Sequence, residues 1–136
     1  MLNKNQLVKD VMLNLNEFPV VKSNCLLKEA LDKMNNSNLG ILCIINSNQS
    51  LKGILTDGDL RRKLISEQKP FSAFFSEDAI NLSINKPIVV KDNLSLKKAV
   101  VCMEKNSIWD LPVLNNKNKL VGLLHLHHAI KVLLGL

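Results

Sequence analysis

Several things are scarce in this chain of 136 residues. There is no tyrosine, one tryptophan, and aromatic residues make up 4% of the whole, so platforms for stacking bases are few despite a formal net charge of +6. The lysines are scattered from Lys4 to Lys131 without forming a dense block, which reads as a solvated basic surface with some attraction for anionic metabolites and excludes a nucleic-acid binder. The three cysteines, Cys25, Cys43 and Cys102, are odd in number and widely spaced, which argues against a disulfide framework or a zinc pair and reads as reduced packing residues. No apolar run approaches the roughly 18 residues needed to cross a bilayer. The start, MLNKNQLVKD, lacks the apolar core of a signal peptide, so a cytoplasmic chain is expected. No phosphate-binding loop, dinucleotide fingerprint or nucleophile arrangement is visible, and no catalytic residue is assigned.

Arginine is also scarce, and its placement is informative. The only two, Arg61 and Arg62, follow directly on LKGILTDGDL, a stretch in which an apolar run ends at Thr56 and a glycine between two acids leads into helical spacing. This reads as a strand entering a tight turn and a helix, with the Thr56 hydroxyl and the carboxylates of Asp57 and Asp59 facing one pocket beside backbone N–H groups. Arginine offers a planar fork that can hold a phosphate in two places. Two simpler readings remain open: Asp57 or Asp59 caps the helix, and the arginines are solvated.

The hydrophobic content of 46% suffices for a core. Residues 2–12 read as a short helix carrying Leu7, Val8, Val11 and Met12, followed by a loop, LNLNE, and a brief strand at Phe18–Val21. Asn24 occupies an N-cap position before Leu27, Ala30, Leu31 and Met34, which form one helical stripe. Ile41–Ile45 reads as a strand buried on both faces, Leu51–Leu55 as its hairpin partner, and residues 58–66 as a closing helix. The order then recurs. Asn24 and Asn93, Ala30 and Ala99, Met34 and Met103, and Gly53 and Gly122 are each separated by 69, and Leu42, Ile44 and Leu51 fall on Leu111, Val113 and Leu120. Pro19 corresponds to Pro87, a slip of one. The chain is therefore read as an internal duplication, strand, helix, strand, strand, helix, in each half. The expected organisation is residues 8–66, a connector at 67–79 anchored by Phe71, Phe74 and Phe75 (which could instead face a partner), and residues 80–136. Halves this small are expected to pack face to face about a pseudo-twofold axis, leaving a cleft for a ligand.

The duplicated unit, with Gly53 and Gly122 ahead of the second hairpin strand and Thr56-Asp57-Gly58-Asp59 at its end, resembles a tandem pair of CBS domains, a Bateman module. VKDVM at 8–12, NLG at 38–40, GILTDGDLRR at 53–62 and LVGLLHLH at 120–127 are similar to the C-terminal region of the KpsF/GutQ family of arabinose-5-phosphate isomerases. The resemblance implies an α+β fold, a homodimer formed through CBS pairs, and a regulatory module of an isomerase of Kdo and lipopolysaccharide biosynthesis. The family's catalytic sugar isomerase (SIS) domain has no match here, so no enzyme activity and no cofactor is expected.

Carried onto this chain, the family's Ser/Thr-x-x-Asp pattern falls on Thr56 and Asp59, with the carboxylate reading ribose hydroxyls and Arg61 or Arg62 taking a phosphate. The implied regulatory ligand is AMP, ATP or a nucleotide sugar such as CMP-Kdo. In the second half His125 stands where Thr56 does, His127 where Gly58 does and His128 where Asp59 does, a position usually Asp in the isomerase family. One pocket, or one asymmetric ligand spanning both halves, is therefore expected in place of two equivalent sites. The histidines read as polar lining touching a ligand's acid group when protonated, with no metal site. Trp109, ahead of the second half's first hairpin strand, is placed at a ligand-facing edge or in packing. Two other functions stay open: a ligand-independent dimerisation and assembly module, and a regulator of a sugar nucleotidyltransferase.

Overall fold

The computed structural model describes residues 5–136; the part of the expected first helix on residues 2–4 lies outside them. The chain divides into two compact units that are not contiguous in sequence: Glu17–Pro87 forms one, and Ile88–Leu136 joins the residues up to Asn16 in the other.

In the Glu17–Pro87 unit, strand β2 (Val20–Lys22) is followed by helix α2 (Leu27–Ser37), the hairpin β3 (Ile41–Ile45) and β4 (Leu51–Thr56), and helix α3 (Asp57–Ser66). The sheet order is β2-β3-β4, with β2 parallel and β4 antiparallel to β3. All five residues of β3 are buried, as a central strand covered on both faces requires. Leu27, Ala30 and Met34 of α2 join Val21, Leu42, Ile44 and Leu55 in one core, with Leu31 packed at its margin. Asn24 is not the N-cap of α2. Leu26 holds that position without a side-chain cap, because the Leu27 N–H instead donates to the Glu77 carbonyl at 2.8 Å. The helix ends at Asn38, in the left-handed region with φ 57°, a conformation asparagine tolerates.

The stretch expected as a connector contains helix α4 (Phe71–Phe75) and runs into a 3-10 turn (Ala79–Leu82), both packed on this unit. Of its three phenylalanines only Phe74 is an anchor, fully buried in the core with Lys69 Nζ 4.5 Å above its ring; Phe71 and Phe75 are exposed. Lys69 also pairs with Glu77 at 2.8 Å and Glu67 at 3.4 Å, tying both ends of α4 together.

The other unit repeats the pattern: β5 (Val90–Lys91), α5 (Leu96–Asn106), β6 (Asp110–Leu114), β7 (Leu120–His125) and α6 (Leu126–Leu133) around a core of its own. The first residues of α5, β6, β7 and α6 each follow those of α2, β3, β4 and α3 by 69, and both hairpins carry an irregularity at the same place, between Ile44 and Ile45 and between Val113 and Leu114. Here Ser95 is the cap, its hydroxyl accepting from the Lys98 N–H.

The segment ahead of each half completes the sheet of the other half. Helix α1 (Val8–Val11) and strand β1 (Leu13–Asn14) belong to the unit of the second half, β1 pairing antiparallel with β7. Correspondingly Ile84, which precedes the second half, exchanges hydrogen bonds with Ile54 of β4. The close approach explains two glycines. A Cβ on Gly53 would lie 2.9 Å from the Ile84 carbonyl oxygen, and one on Gly122 would lie 2.8 Å from that of Leu13.

Candidate functional site

The turn from β4 into α3 builds the more complete site. Thr56 has extended backbone and caps α3, its hydroxyl oxygen accepting from the Asp59 N–H at 3.1 Å and donating to Asp59 Oδ2 at 2.7 Å. Asp59 Oδ1 accepts from Arg62 Nη2 at 2.9 Å. The two members of that ion pair differ greatly in exposure, 11% for the Asp59 side chain and 63% for Arg62. Gly58 gives the guanidinium room to lie back over the first turn, since a Cβ there would stand 3.1 Å from Nη2. Asp59, Arg62, Lys63 and Ser66 face Leu82, Ser83 and Ile84 across a pocket of about 260 Å3.

Of the residues singled out in this stretch, the structure thus brings together Thr56, Asp59 and Arg62. Asp57 is turned elsewhere: its N–H donates to the Gly40 carbonyl at 3.1 Å, and its Oδ2 fills the space a Gly40 Cβ would need, 2.7 Å away. Arg61 is exposed and does not line the pocket. Lys63, Ser66 and the Leu82–Ile84 wall had no place in the sequence reading. One helical turn from Arg62 would have suggested the first two, whereas the wall is some twenty residues away and carries no local signal.

In the other unit His125 caps α6 without a side-chain hydrogen bond to the helix. Its Nδ1 lies 2.8 Å from Asp110 Oδ1, both side chains being mostly covered, at 24% and 13% exposure. Burial pushes the Asp110 carboxyl above its ordinary value, and the hydrogen bond and charge of His125 pull the other way. When the carboxylate is ionised it can only accept, which makes Nδ1 the donor of this contact. The His128 ring stands edge-on to His125 at 5.6 Å, and His127 is tilted to His128 at 6.2 Å. His125 ends a strand while His127 and His128 lie in α6, so His125 and His127 do not share a strand face. Among the described residues no group of three or more His, Cys, Asp or Glu is placed to hold a metal ion. Trp109 is 69% exposed, its carbonyl accepting from the Leu126 N–H at 2.8 Å.

Asp110 was absent from the sequence reading, although a signal existed. It is the one charged residue in the two central hairpin strands, DLPVL against ILCII, and stands where Ile41 does.

Among the described residues no helix is long and apolar enough to cross a membrane. The CBS domain family model matches twice, over residues 8–66 and 79–135. The arabinose 5-phosphate isomerase KdsD of Francisella tularensis is 31% identical over 92% of this chain and 37% of its own length. An uncharacterised protein of Helicobacter pylori strain J99 is 30% identical over 92% of this chain and 36% of its own length. The chain therefore spans little more than a third of these curated relatives. The crystal structure of CBSX2 in complex with AMP superposes with a TM-score of 0.83 at 26% identity, covering 96% of this chain and 98% of that one. With both halves matched and the shared architecture in view, the chain belongs to the CBS domain family as a tandem CBS pair.

Proposed function

We propose that this CBS pair is a ligand-sensing regulatory module of an arabinose-5-phosphate isomerase, serving Kdo biosynthesis, and that it binds a nucleotide or nucleotide sugar at the head of α3. The observation that carries the reading is the Asp59 carboxylate, 9% exposed yet lining a pocket beside Arg62 and Lys63. An acceptor pair next to cationic donors suits a sugar with vicinal hydroxyls and a phosphate. The likeness to KdsD supports the isomerase context, and the AMP complex of CBSX2 supports a nucleotide as the ligand class. The module would act by binding one conformation of the attached or associated isomerase more tightly than another. In the second half His128 stands where the first half offers the Asp59 carboxylate, so one nucleotide per chain is the expected stoichiometry.

A thermal-shift panel of AMP, ATP, CMP, CMP-Kdo and arabinose 5-phosphate tests this. A ligand at about 100 times its Kd stabilises the folded chain by about 2.7 kcal/mol, and Asp59→Ala should abolish the response. A second reading, an assembly module that needs no ligand, is favoured by the exposed Ile65, Phe71 and Phe75, at 74%, 68% and 43% exposure. A concentration-independent dimer by light scattering with no response across the panel would support it.

A further inference from the structure

Asp59 is already engaged on both oxygens, Oδ2 by the Thr56 hydroxyl and Oδ1 by Arg62. A carboxylate has about four lone-pair positions, so hydroxyls of a ligand can still be accepted, but they compete with Arg62 for the edge that opens on the pocket. Thr56 is held in place by its second role as helix cap. Arg62 has no such tie: its side chain is 63% exposed, and an ion pair with one member so open to solvent is weak. Arg62 is thus the movable partner and Asp59 the fixed one.

We infer that Arg62 is the specificity-determining residue of the pocket and selects phosphorylated polyols against their unphosphorylated counterparts. The inference rests on the ligand-sensing reading above and deepens it. A ligand that brings only hydroxyls displaces the guanidinium from Asp59 and gives it nothing in return. A ligand that brings hydroxyls and a phosphate offers Arg62 a bidentate anion within the same pocket, which Lys63 also lines while its ammonium pairs loosely with Glu67 at 3.5 Å. Ser66 and Ser83 add no donors, because their hydroxyls already donate to the carbonyls of Lys63 and Ile80 at 3.3 and 2.8 Å. Anion recognition therefore falls to Arg62 and Lys63. The size of the pocket agrees: about 260 Å3 lies below the roughly 300–1,000 Å3 of a site that engulfs a drug-sized molecule, and suits the sugar-phosphate portion of a larger ligand. Arg61, exposed on the neighbouring position of α3, has no part in the selection.

Calorimetric titration of three matched pairs, AMP with adenosine, CMP with cytidine and arabinose 5-phosphate with arabinose, tests this on the wild-type chain, Arg62→Gln and Arg61→Gln. Because both arginines are exposed, both variants should stay folded, Arg61→Gln with the wild-type urea midpoint and Arg62→Gln with at most a small drop from the lost pair with Asp59. The wild type should prefer the phosphorylated member of at least one pair. Arg62→Gln should lose about tenfold in affinity for that member, equivalent to about 1.4 kcal/mol, while binding the unphosphorylated partner at least as well as the wild type. Arg61→Gln should change neither. Equal weakening of both members in Arg62→Gln, an unchanged preference, or the same effect from Arg61→Gln would overturn the assignment and leave the sensing role standing. Binding of none of the six compounds to the wild type would overturn this inference, and if ATP and CMP-Kdo also failed to bind, the sensing role would fall with it.

Discussion

Replacing Asp59 by alanine removes a buried acceptor and leaves the helix cap in place, because the Thr56 hydroxyl oxygen accepts from the main-chain N–H of position 59 and not from its side chain. The loss can be assembled from the structure. The 2.7 Å bond from Thr56 reaches an ionised group that is almost entirely covered, and hydrogen bonds to charged groups contribute about 1.5–3 kcal/mol. A negative charge in the first turn of α3 adds about 0.3–1 kcal/mol. The Arg62 contact adds about 0–1 kcal/mol, since the guanidinium is mostly in solvent. Alanine's better helix propensity returns up to about 0.7 kcal/mol, and relief of the carboxylate's desolvation offsets a further part. A net destabilisation of about 1–3 kcal/mol is expected. Asp59→Asn keeps an acceptor for the Thr56 hydroxyl and should lose about half as much, at roughly 1 kcal/mol. Urea unfolding followed by far-ultraviolet circular dichroism resolves these values, repeated with whichever nucleotide stabilises the wild type. An unchanged midpoint in Asp59→Ala would show that the carboxylate is no structural acceptor, and a retained gain from the nucleotide would show that it is no ligand contact.

Four further substitutions probe the scaffold. Gly53→Val should cost about 1–3 kcal/mol by forcing Ile84 away from β4, and hydrogen exchange at the Ile54 and Ile84 amides, which donate to each other's carbonyls at 3.0 and 2.8 Å, should accelerate; unchanged protection would refute the close-approach argument. Phe74→Ala should cost about 3–5 kcal/mol while Phe71→Ala stays within about 0.5 kcal/mol, so equal costs in chemical denaturation would contradict the packing of α4. Asp110 has a carboxyl pushed above its ordinary value of 3.8 in the folded chain, so the folded state holds that proton more tightly than the unfolded one. Its stabilising contribution is present below 3.8 and is lost as pH rises through the raised folded value. Urea midpoints measured across the acidic range just above 3.8 should therefore fall less with rising pH in Asp110→Asn than in the wild type, and identical slopes would count against burial as the cause.

The hairpins and main helices of both halves were legible because each rests on a strong local signal: the unbroken run at Ile41–Ile45, the stripe Leu27, Ala30 and Met34, and one constant offset between copies. The exchange of leading segments was not. Val8 donates to the Leu94 carbonyl and Ala79 to that of Cys25, so these leading segments correspond at an offset of 71 on one side while the bodies they contact correspond at 69. A search at one register passes over such a pairing. Strand β1 is two residues long, and its sequence, inside LNLNE, has too short a span to show alternation. Asn24 misled for a related reason, since the donor it would have satisfied is taken by a carbonyl fifty residues away, which no local rule anticipates. At the site, Thr56, Asp59 and Arg62 could be read because capping and arginine scarcity act within one helical turn. Asp57 and Asp59, indistinguishable by spacing to a turn-forming glycine, are separated only by the Gly40 loop that claims the first of them.

The two halves place an acid and a partner in hydrogen-bond contact at equivalent turns, yet with opposite chemical results. In the first half the acid sits in the helix, and the partner is a hydroxyl that doubles as the cap, so the carboxylate keeps acceptor capacity for whatever enters the pocket. In the second half the acid has moved to the start of the neighbouring strand, and the cap position holds an imidazole whose Nδ1 engages that acid at 2.8 Å. That contact ties the imidazole to the strand, and both side chains are mostly covered, at 24% and 13% exposure. The two acceptor oxygens of Asp59 have no carboxylate counterpart at the start of α6, where His128 holds the equivalent position. Duplication has thus preserved the backbone register of the turn while changing its side chains, His125 standing where Thr56 does and His128 where Asp59 does, so the repeated fold does not carry the same chemistry at its two turns.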